Sequence, residues 1–428
     1  MERCAIGLIG WGTVGGGVVQ ILQQDTDLLR DRCGLDLALT RIVTRTPGRA
    51  RDQVATGIAV SDRIGDLLDD HAIRVVIHLV GGTTDATELC RACLTAGKHV
   101  ITANKAMLAV HGDELFALAA ARGVSIAFEA AVAGGIPVIA ALRDGLVANR
   151  IDGIHAILNG TCNYILSQME SAGMSYADAL AGAQRLGYAE ADPTLDVDGT
   201  DTAHKLAILA RIAFNGRIPL SSIRTEGIQT ITYQDIVSAK RMGARIKLLA
   251  VAQRRPAGLE LRVAPTLVPL DHPLAAVNAN HNGIAITSSH AGTTLLVGPG
   301  AGALPTASAV LADLVDVCSG RYQATASRFA FFRPGHEVKL LAETDEFTAS
   351  YARFTVPDKS GVLAGIATIL STHGVSLRSI HQGEPGVDGS AIIEAITHPL
   401  RGGSFLAAVD TIDRSGLTVR PTVILRRL

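Results

Sequence analysis

The stretch Ala5-Ile6-Gly7-Leu8-Ile9-Gly10-Trp11-Gly12-Thr13-Val14-Gly15-Gly16-Gly17 decides the fold. The apolar run at 5–9 predicts a buried strand, and a helical pattern follows over about 15–29. Between them Gly10, Gly12 and Gly15 stand in G-x-G-x-x-G spacing. Glycine serves a different need at each position: a tight turn, close approach of backbone to a pyrophosphate, and close helix-on-strand packing. The start of the helix, with Thr13 and Val14 beside the glycines, would offer unpaired N–H groups to the anion. The alternative is a glycine-rich turn with no ligand, but the strand–turn–helix context favours a dinucleotide.

Outward from this turn, strand-like runs recur at 37–43, 75–79, 99–102 and 125–130, alternating with helical patterns. Such alternation predicts a parallel, doubly wound α/β sheet, a Rossmann-type domain over residues 1–130. After the second strand comes Ile42-Val43-Thr44-Arg45-Thr46-Pro47, with Arg49 and Arg51 close behind and no Asp or Glu. An acidic residue here would bind a ribose 2′-hydroxyl, whereas an arginine accepts a 2′-phosphate. The expectation is NADP through Arg45, with NAD possible if these arginines only form a solvated loop.

A chain of 428 residues suggests two to four domains. With 48% hydrophobic and 18% charged residues it has ample core material. A formal charge of −1 speaks against an extended nucleic-acid face and gives no reason for a membrane partner. No apolar stretch approaches the ~18–20 residues of a membrane span. The N-terminus lacks the pattern of a signal peptide. Six scattered cysteines do not form a disulfide framework. Cys90 and Cys93 make one CxxC inside a helical pattern, without the second ligand pair that zinc needs, and read as packing residues. A soluble, cytoplasmic protein is expected.

Residues 131–340 lose the strict alternation. Pro137 suits an early helical position after Gly134-Gly135. Runs at 153–158, 246–253, 259–267, 283–289 and 293–299 predict strands, with helices beginning near 163 and spanning 200–215. This mixture predicts an α+β substrate and dimerisation domain. Arg333-Pro334-Gly335 marks a linker. Residues 348–428 then read β-α-β-β-α-β, the ferredoxin-like split pattern.

Two segments concentrate chemistry. Thr102-Ala103-Asn104-Lys105 follows a strand, and the carboxyl ends of parallel strands are where such sheets hold ligands. Lys105 would sit by the nicotinamide, or else simply cap the strand at the surface. The second segment, from Gly187 through Glu190, Asp196 and Asp201 to Lys205, gathers carboxylates around one lysine. A helix from about 200 puts Asp201 and Lys205 one turn apart. The apolar continuation over 206–214 implies burial, where a lysine needs a charged partner or a lowered pKa. Both suit a proton donor in carbonyl reduction. An ordinary i,i+4 ion pair is the competing reading.

The motifs G-W-G-T-V-G, T-A-N-K at 102–105, F-E-A-A-V-A-G-G-I-P at 128–137, N-G-T-C-N-Y-I-L at 159–166 and E-A-D-P-T-L-D-V-D-G-T-D-T-A-H-K at 190–205 resemble those of homoserine dehydrogenases, in order. The tail is similar to an ACT regulatory domain, and no stretch is left for an aspartokinase. The resemblance implies reversible NAD(P)H-dependent reduction of L-aspartate 4-semialdehyde to L-homoserine, on the route to threonine, methionine and isoleucine. It implies Lys205 as proton donor, Lys105 beside the nicotinamide and Asp201 orienting Lys205 or the substrate. Glu190 would hold the substrate's α-ammonium, with Asp196 and Gly187 in the substrate site and Thr102 lining the cofactor pocket. It further implies a structural monovalent cation, sodium, on backbone oxygens of Glu129, Val132, Gly134 and Ile136. A homodimer or higher homo-oligomer is implied too, with threonine as effector near Ser360-Gly361-Val362-Leu363, although the tail could serve dimerisation alone.

Competing functions remain open at this stage. Cys162 raises a thiol-nucleophile dehydrogenase, but no motif of such a family surrounds it. A silent amino-acid sensor and an unrelated oxidoreductase on the same scaffold are the others.

Overall fold

The computed structural model describes residues 2–326, 337–384, 386 and 389–428. The proposed linker Arg333-Pro334-Gly335 lies outside the described residues.

The first sheet is parallel, with strands β1 (Glu2–Ile9), β2 (Leu35–Val43), β3 (Ala59–Ser61), β4 (Ile73–His78), β5 (His99–Thr102) and β6 (Ile126–Ala127). Their order, β3-β2-β1-β4-β5-β6, is that of a dinucleotide-binding Rossmann sheet. The strands are apolar because helices cover both faces; Val75, Val76 and Ile77 are all buried. The helix expected over 15–29 is two helices, Thr13–Gln24 and Thr26–Cys33, broken at Asp25. The run at 125–130 pairs only at Ile126–Ala127, because Glu129–Ala131 turns into a short 3-10 helix.

The chain returns to this domain much later. The helix Ala303–Cys318 packs Ala307, Val310 and Leu314 against Ile6, Leu8 and Val18. A Cβ on Gly17 would lie 2.7 Å from the Ala303 carbonyl oxygen, so glycine there permits the close crossing of the two helices. The core of the first domain is thus completed by residues from well beyond position 130.

The second sheet contains β7 (Ile151–Ile157), β8 (Arg224–Thr225), β9 (Ala244–Arg255), β10 (Gly258–Pro269), β11 (His281–Ser288) and β12 (Gly292–Pro299). The tail adds β14 (Ser350–Pro357), β15 (Leu377–Gln382), β16 (Ser390–Thr397) and β18 (Val423–Arg427), while β13 (Phe347–Thr348) and β17 (Leu400–Arg401) pair with each other in a separate two-stranded sheet. The tail's sheet order is β18-β14-β16-β15, the ferredoxin-like arrangement expected of its β-α-β-β-α-β pattern. Its helices Val362–Thr372 and Gly402–Arg414 cover one face over Phe354, Ile366, Ile393 and Phe405.

The two units share one continuous sheet. β18 pairs in parallel with β10, Thr266 opposite Arg426 and Leu267 opposite Arg427. The opposite face of the tail's sheet packs on the helix Tyr233–Arg241, where Tyr351 Oη donates to Asp235 (3.0 Å) and Arg353 Nε donates to the same oxygen (2.7 Å).

Candidate active site

The glycine turn takes the shape its sequence predicts. Gly10 has φ +100°, and a Cβ there would lie 2.6 Å from the Leu79 carbonyl oxygen. A Cβ on Gly15 would fall 2.5 Å from the Gly10 oxygen. At Gly12 a Cβ would meet nothing within 4 Å. The protein itself does not need glycine at position 12; a ligand approaching the backbone does. The turn therefore fits a dinucleotide pyrophosphate.

Arg45 lies just beyond β2, whose last residue Val43 accepts a hydrogen bond from Gly10 N (2.9 Å). Arg45 is exposed, and neither it nor Arg49 has an ion pair or hydrogen bond among the described residues.

From this turn a cavity of about 510 Å³ runs to the carboxylate-rich segment. Gly12, Thr13, Val14 and Gly15 line one end, and Glu190, Asp196, Asp201 and His204 the other, with Lys105 between. Lys105 opens the helix Lys105–Ala121, capped by Asn104, whose Oδ1 accepts from Met107 N (2.9 Å). The amide of Asn104 donates to the carbonyls of Val80 (2.9 Å) and Gly82 (2.7 Å), fixing the loop that forms the cavity's edge.

Asp201 and Lys205 sit on the helix Thr200–Phe214, which is buried through Leu206, Ala207, Ile208, Leu209 and Ala210 as its apolar sequence implies. Lys205 Nζ donates to Asp201 Oδ2 (2.6 Å) and to the Leu158 carbonyl (2.7 Å). Lys105 Nζ lies 3.1 Å from Asp201 Oδ1. Burial pushes the Asp201 carboxyl up, but the Lys205 and Lys105 ammoniums and the hydrogen bonds it accepts outweigh this and hold it below the usual carboxylate range. Lys205 is not itself a lining residue, but it adjoins the cavity through Asp201 and keeps a small part of its side chain exposed.

Asn159 joins the two carboxylates. Its Nδ2 donates to Asp196 Oδ1 (2.8 Å) and to Asp201 Oδ2 (2.9 Å), while its Oδ1 caps the helix Gly160–Ala172 by accepting from Cys162 N (2.8 Å). Burial raises the Asp196 carboxyl, the Asn159 hydrogen bond opposes it, and nearby Asp201 adds to the rise. Sequence reasoning passed over Asn159, although an Asn between a strand and an N-G-T helix start is a capping signal. His204, also on the cavity wall, carried no such signal; burial lowers its pKa.

Other expected site residues lie apart. Gly187, with φ +73°, ends the helix Tyr176–Arg185 and does not line the cavity. Thr102 is fully buried at the end of β5, its Oγ1 accepting from Asn104 N (3.1 Å), and does not line the cavity. The Glu129 carboxylate faces a helix start, accepting from Ile139 N (2.8 Å) and Ala140 N (2.7 Å). Burial pushes its pKa up to about 7 against those bonds. Ala133 and Gly134 follow in succession with φ 58° and 56°, folding the loop tightly.

Cys162 is fully buried, its thiol donating to the Asp196 carbonyl (3.2 Å). Burial, then Asp196 and Asp201, push that thiol well above its usual range, the reverse of what a nucleophile needs. Cys90 and Cys93 are buried with thiols pushed up to about 12, as packing residues are. Among the described residues no group of three or more His, Cys, Asp or Glu could hold a metal, and no helix is long and apolar enough to cross a membrane.

A Rossmann sheet whose glycine turn opens onto two lysines sharing one carboxylate defines a nicotinamide-dependent oxidoreductase, here with a ferredoxin-like tail. Family models match in the same order: the homoserine dehydrogenase NAD binding domain at 10–129, homoserine dehydrogenase at 137–315 and the ACT domain at 350–414. A homoserine dehydrogenase of Pseudomonas aeruginosa is 44% identical, with 98% of each chain covered. The crystal structure of one from Thiobacillus denitrificans is 40% identical, covers 100% of this chain and 98% of that one, and superposes with a TM-score of 0.92. A hyperthermophilic archaeal homoserine dehydrogenase mutant in complex with NADPH is 25% identical over 74% of this chain and 98% of its own, at a TM-score of 0.63. The chain belongs to the homoserine dehydrogenase family, and is an oxidoreductase of amino-acid biosynthesis with an ACT domain.

Proposed function

We propose that Lys205 is the proton donor in NADPH-dependent reduction of L-aspartate 4-semialdehyde to L-homoserine, with Asp201 and Lys105 completing the catalytic group. The observation that carries this reading is the Lys105–Asp201–Lys205 bridge at the end of the cavity that begins at the glycine turn. When bound, the nicotinamide supplies the hydride.

An ammonium has three protons, and Lys205 commits two of them to Asp201 and Leu158. The third is left for the carbonyl oxygen, where it stabilises the developing alkoxide and then transfers. Asp201, kept ionised by both lysines, fixes the Lys205 rotamer. Lys105 brings a second positive charge to the same place. Glu190, exposed on the cavity wall, holds the substrate's α-ammonium, while Asp196 supports the network through Asn159. Thr102 acts by holding Asn104.

NADP is favoured over NAD by Arg45, unpartnered among the described residues, and by the lack of an acid between Thr44 and Arg51. NADPH in the archaeal complex is in keeping with this. Of the cation residues Glu129, Val132, Gly134 and Ile136, the last three carry no charged side chain and the Glu129 carboxylate is taken up by Ile139 N and Ala140 N, so backbone oxygens are what they offer a monovalent cation, which suits sodium. The site is structural, since none of these residues reaches the cavity. The exposed turn at Asp358, Lys359 and Ser360 is the reading for a threonine effector. A homodimer is supported by β12, an outer strand exposing Leu295 and Val297. The cytoplasm is the proposed location.

Initial rates with NADPH and NADH in parallel, for the wild type and Arg45→Asp, test the assignment. The proposal expects faster turnover of aspartate 4-semialdehyde with NADPH, and a preference reversed by the substitution. A wild type that prefers NADH overturns the cofactor reading, and one that turns over neither overturns the whole.

A further inference from the structure

A cavity of about 650 Å³ lies where the ACT sheet meets the substrate domain. It shares no lining residue with the active-site cavity. Arg255, Arg262, Arg378 and Arg427 line it, together with His155 and His398. Its two glutamates are already ion-paired. Glu260 accepts from Arg255 Nε (2.9 Å) and Arg262 Nε (3.1 Å). Glu346 lies 2.8 Å from Arg426 Nε and 3.3 Å from Arg224 Nη1.

The remaining cations have no such partners. The side chains of Arg378 and Arg427 make no ion pair or hydrogen bond among the described residues, and both also line an adjoining cavity of about 420 Å³ between the ACT sheet and the helix Tyr233–Arg241. Arg262 is only 3% exposed, and while its Nε and Nη1 are bonded to Glu260 and Thr266, its Nη2 donates to nothing among the described residues. A buried guanidinium with a spare donor is costly unless something accepts from it. Burial, His272, Arg262 and Arg255 together hold the His155 imidazole down to about 4, so it is neutral and adds no charge of its own.

We propose that this cavity is a binding site for a small anion bearing carboxylate or phosphate oxygens, gripped by Arg378 and Arg427 with Arg262 beside them. Planar guanidiniums suit such oxygens, which they can meet with paired hydrogen bonds. The volume is that of a small-molecule site, and domain junctions are where such sites recur.

The position also connects the site to the active centre. Arg262 of β10 stands opposite Arg224 of β8, and Val263 opposite Thr225. Thr225 in turn abuts Gly199, where a Cβ would lie 2.9 Å from Thr225 Cγ2. Gly199 caps the helix that carries Asp201 and Lys205. An occupant that draws on Arg262 therefore pulls on a strand pair leaning against the catalytic helix.

Calorimetric titration of the full chain tests the proposal, using inorganic phosphate and, separately, succinate at constant ionic strength. Saturating NADP+ is present so that the glycine turn is already filled. The expected result is saturable binding of at least one anion, weakened about tenfold or more in Arg378→Gln/Arg427→Gln. Arg414→Gln, on the exposed surface of the ACT domain outside the cavity, leaves it unchanged. Phosphate alone, succinate alone or both would identify the occupant as a phosphate ester, a carboxylate or either. Absence of saturable binding to the wild type, or equal binding to the arginine variants, overturns the site. The single variants decide the matter if the double variant does not fold.

Discussion

Lys105 and Lys205 hold opposite oxygens of one carboxylate: Lys105 Nζ lies 3.1 Å from Asp201 Oδ1, and Lys205 Nζ 2.6 Å from Oδ2. Lys105 comes from the end of the Rossmann strand β5 and Lys205 from the substrate domain. Asp201 is therefore a tie between domains as well as an orienting group. Two cations at one anion keep the carboxylate ionised and hold each lysine in place.

Asn159 should matter more to catalysis than its capping role suggests. Asn159→Ala removes the bonds to Asp196 and Asp201 along with the cap on Cys162 N. Loss of a cap costs about 1 kcal/mol. The expected outcome is a comparable loss of stability in denaturant melts, with kcat lower by roughly ten- to a hundredfold. Loss of stability with kcat unchanged would show that Asn159 is only a cap.

Gly12 and Gly15 should respond oppositely to alanine. At Gly15 the new methyl meets the Gly10 carbonyl at 2.5 Å, so Gly15→Ala should lose about 1–3 kcal/mol of stability. At Gly12 it meets no protein atom within 4 Å, so Gly12→Ala should melt like the wild type but raise the KM for NADPH several-fold. Thermal melts and cofactor titrations separate the two.

Lys247 predicts a pH dependence of stability. Its side chain is 1% exposed, and Nζ donates to Asn163 Oδ1 (3.0 Å), the Val277 carbonyl (2.6 Å) and Asn278 Oδ1 (3.2 Å), all neutral. Burial pushes its pKa down to about 8 from 10.5. Between these values the unfolded chain binds more protons than the folded one, so this group's contribution to stability rises with pH across that window. Below about 8 the burial penalty is present in full. The wild type minus Lys247→Met difference, measured by denaturant melts from pH 7 to 10.5, should show that rise, on the order of 2–3 kcal/mol. A flat difference contradicts the shift.

The strand–helix alternation of the Rossmann domain, the helix carrying Lys205 and the ferredoxin-like tail were legible because each rests on a local period. Val75-Val76-Ile77 reads as a strand buried on both faces, and Asp201 with Lys205 reads as one helical turn. The bridge from Lys105 to Asp201 was not legible, since no periodicity relates residues on separate domains. The pairing of β18 with β10 was hidden for the same reason, as was the return of Ala303–Cys318 to the first core. β3 spans only Ala59–Ser61, too short to show a pattern. The helix end at Leu186 that the positive φ of Gly187 serves was not legible either, since the sequence around it reads as part of the carboxylate segment.

The most direct test is the rate of NADPH oxidation by aspartate 4-semialdehyde for the wild type and Lys205→Ala, with NADPH affinity measured in both. The account predicts a kcat about 10²–10⁴-fold lower in the variant, with cofactor affinity unchanged. A variant that keeps its turnover while binding NADPH normally would contradict Lys205 as the donor and move that role to Lys105 or to water.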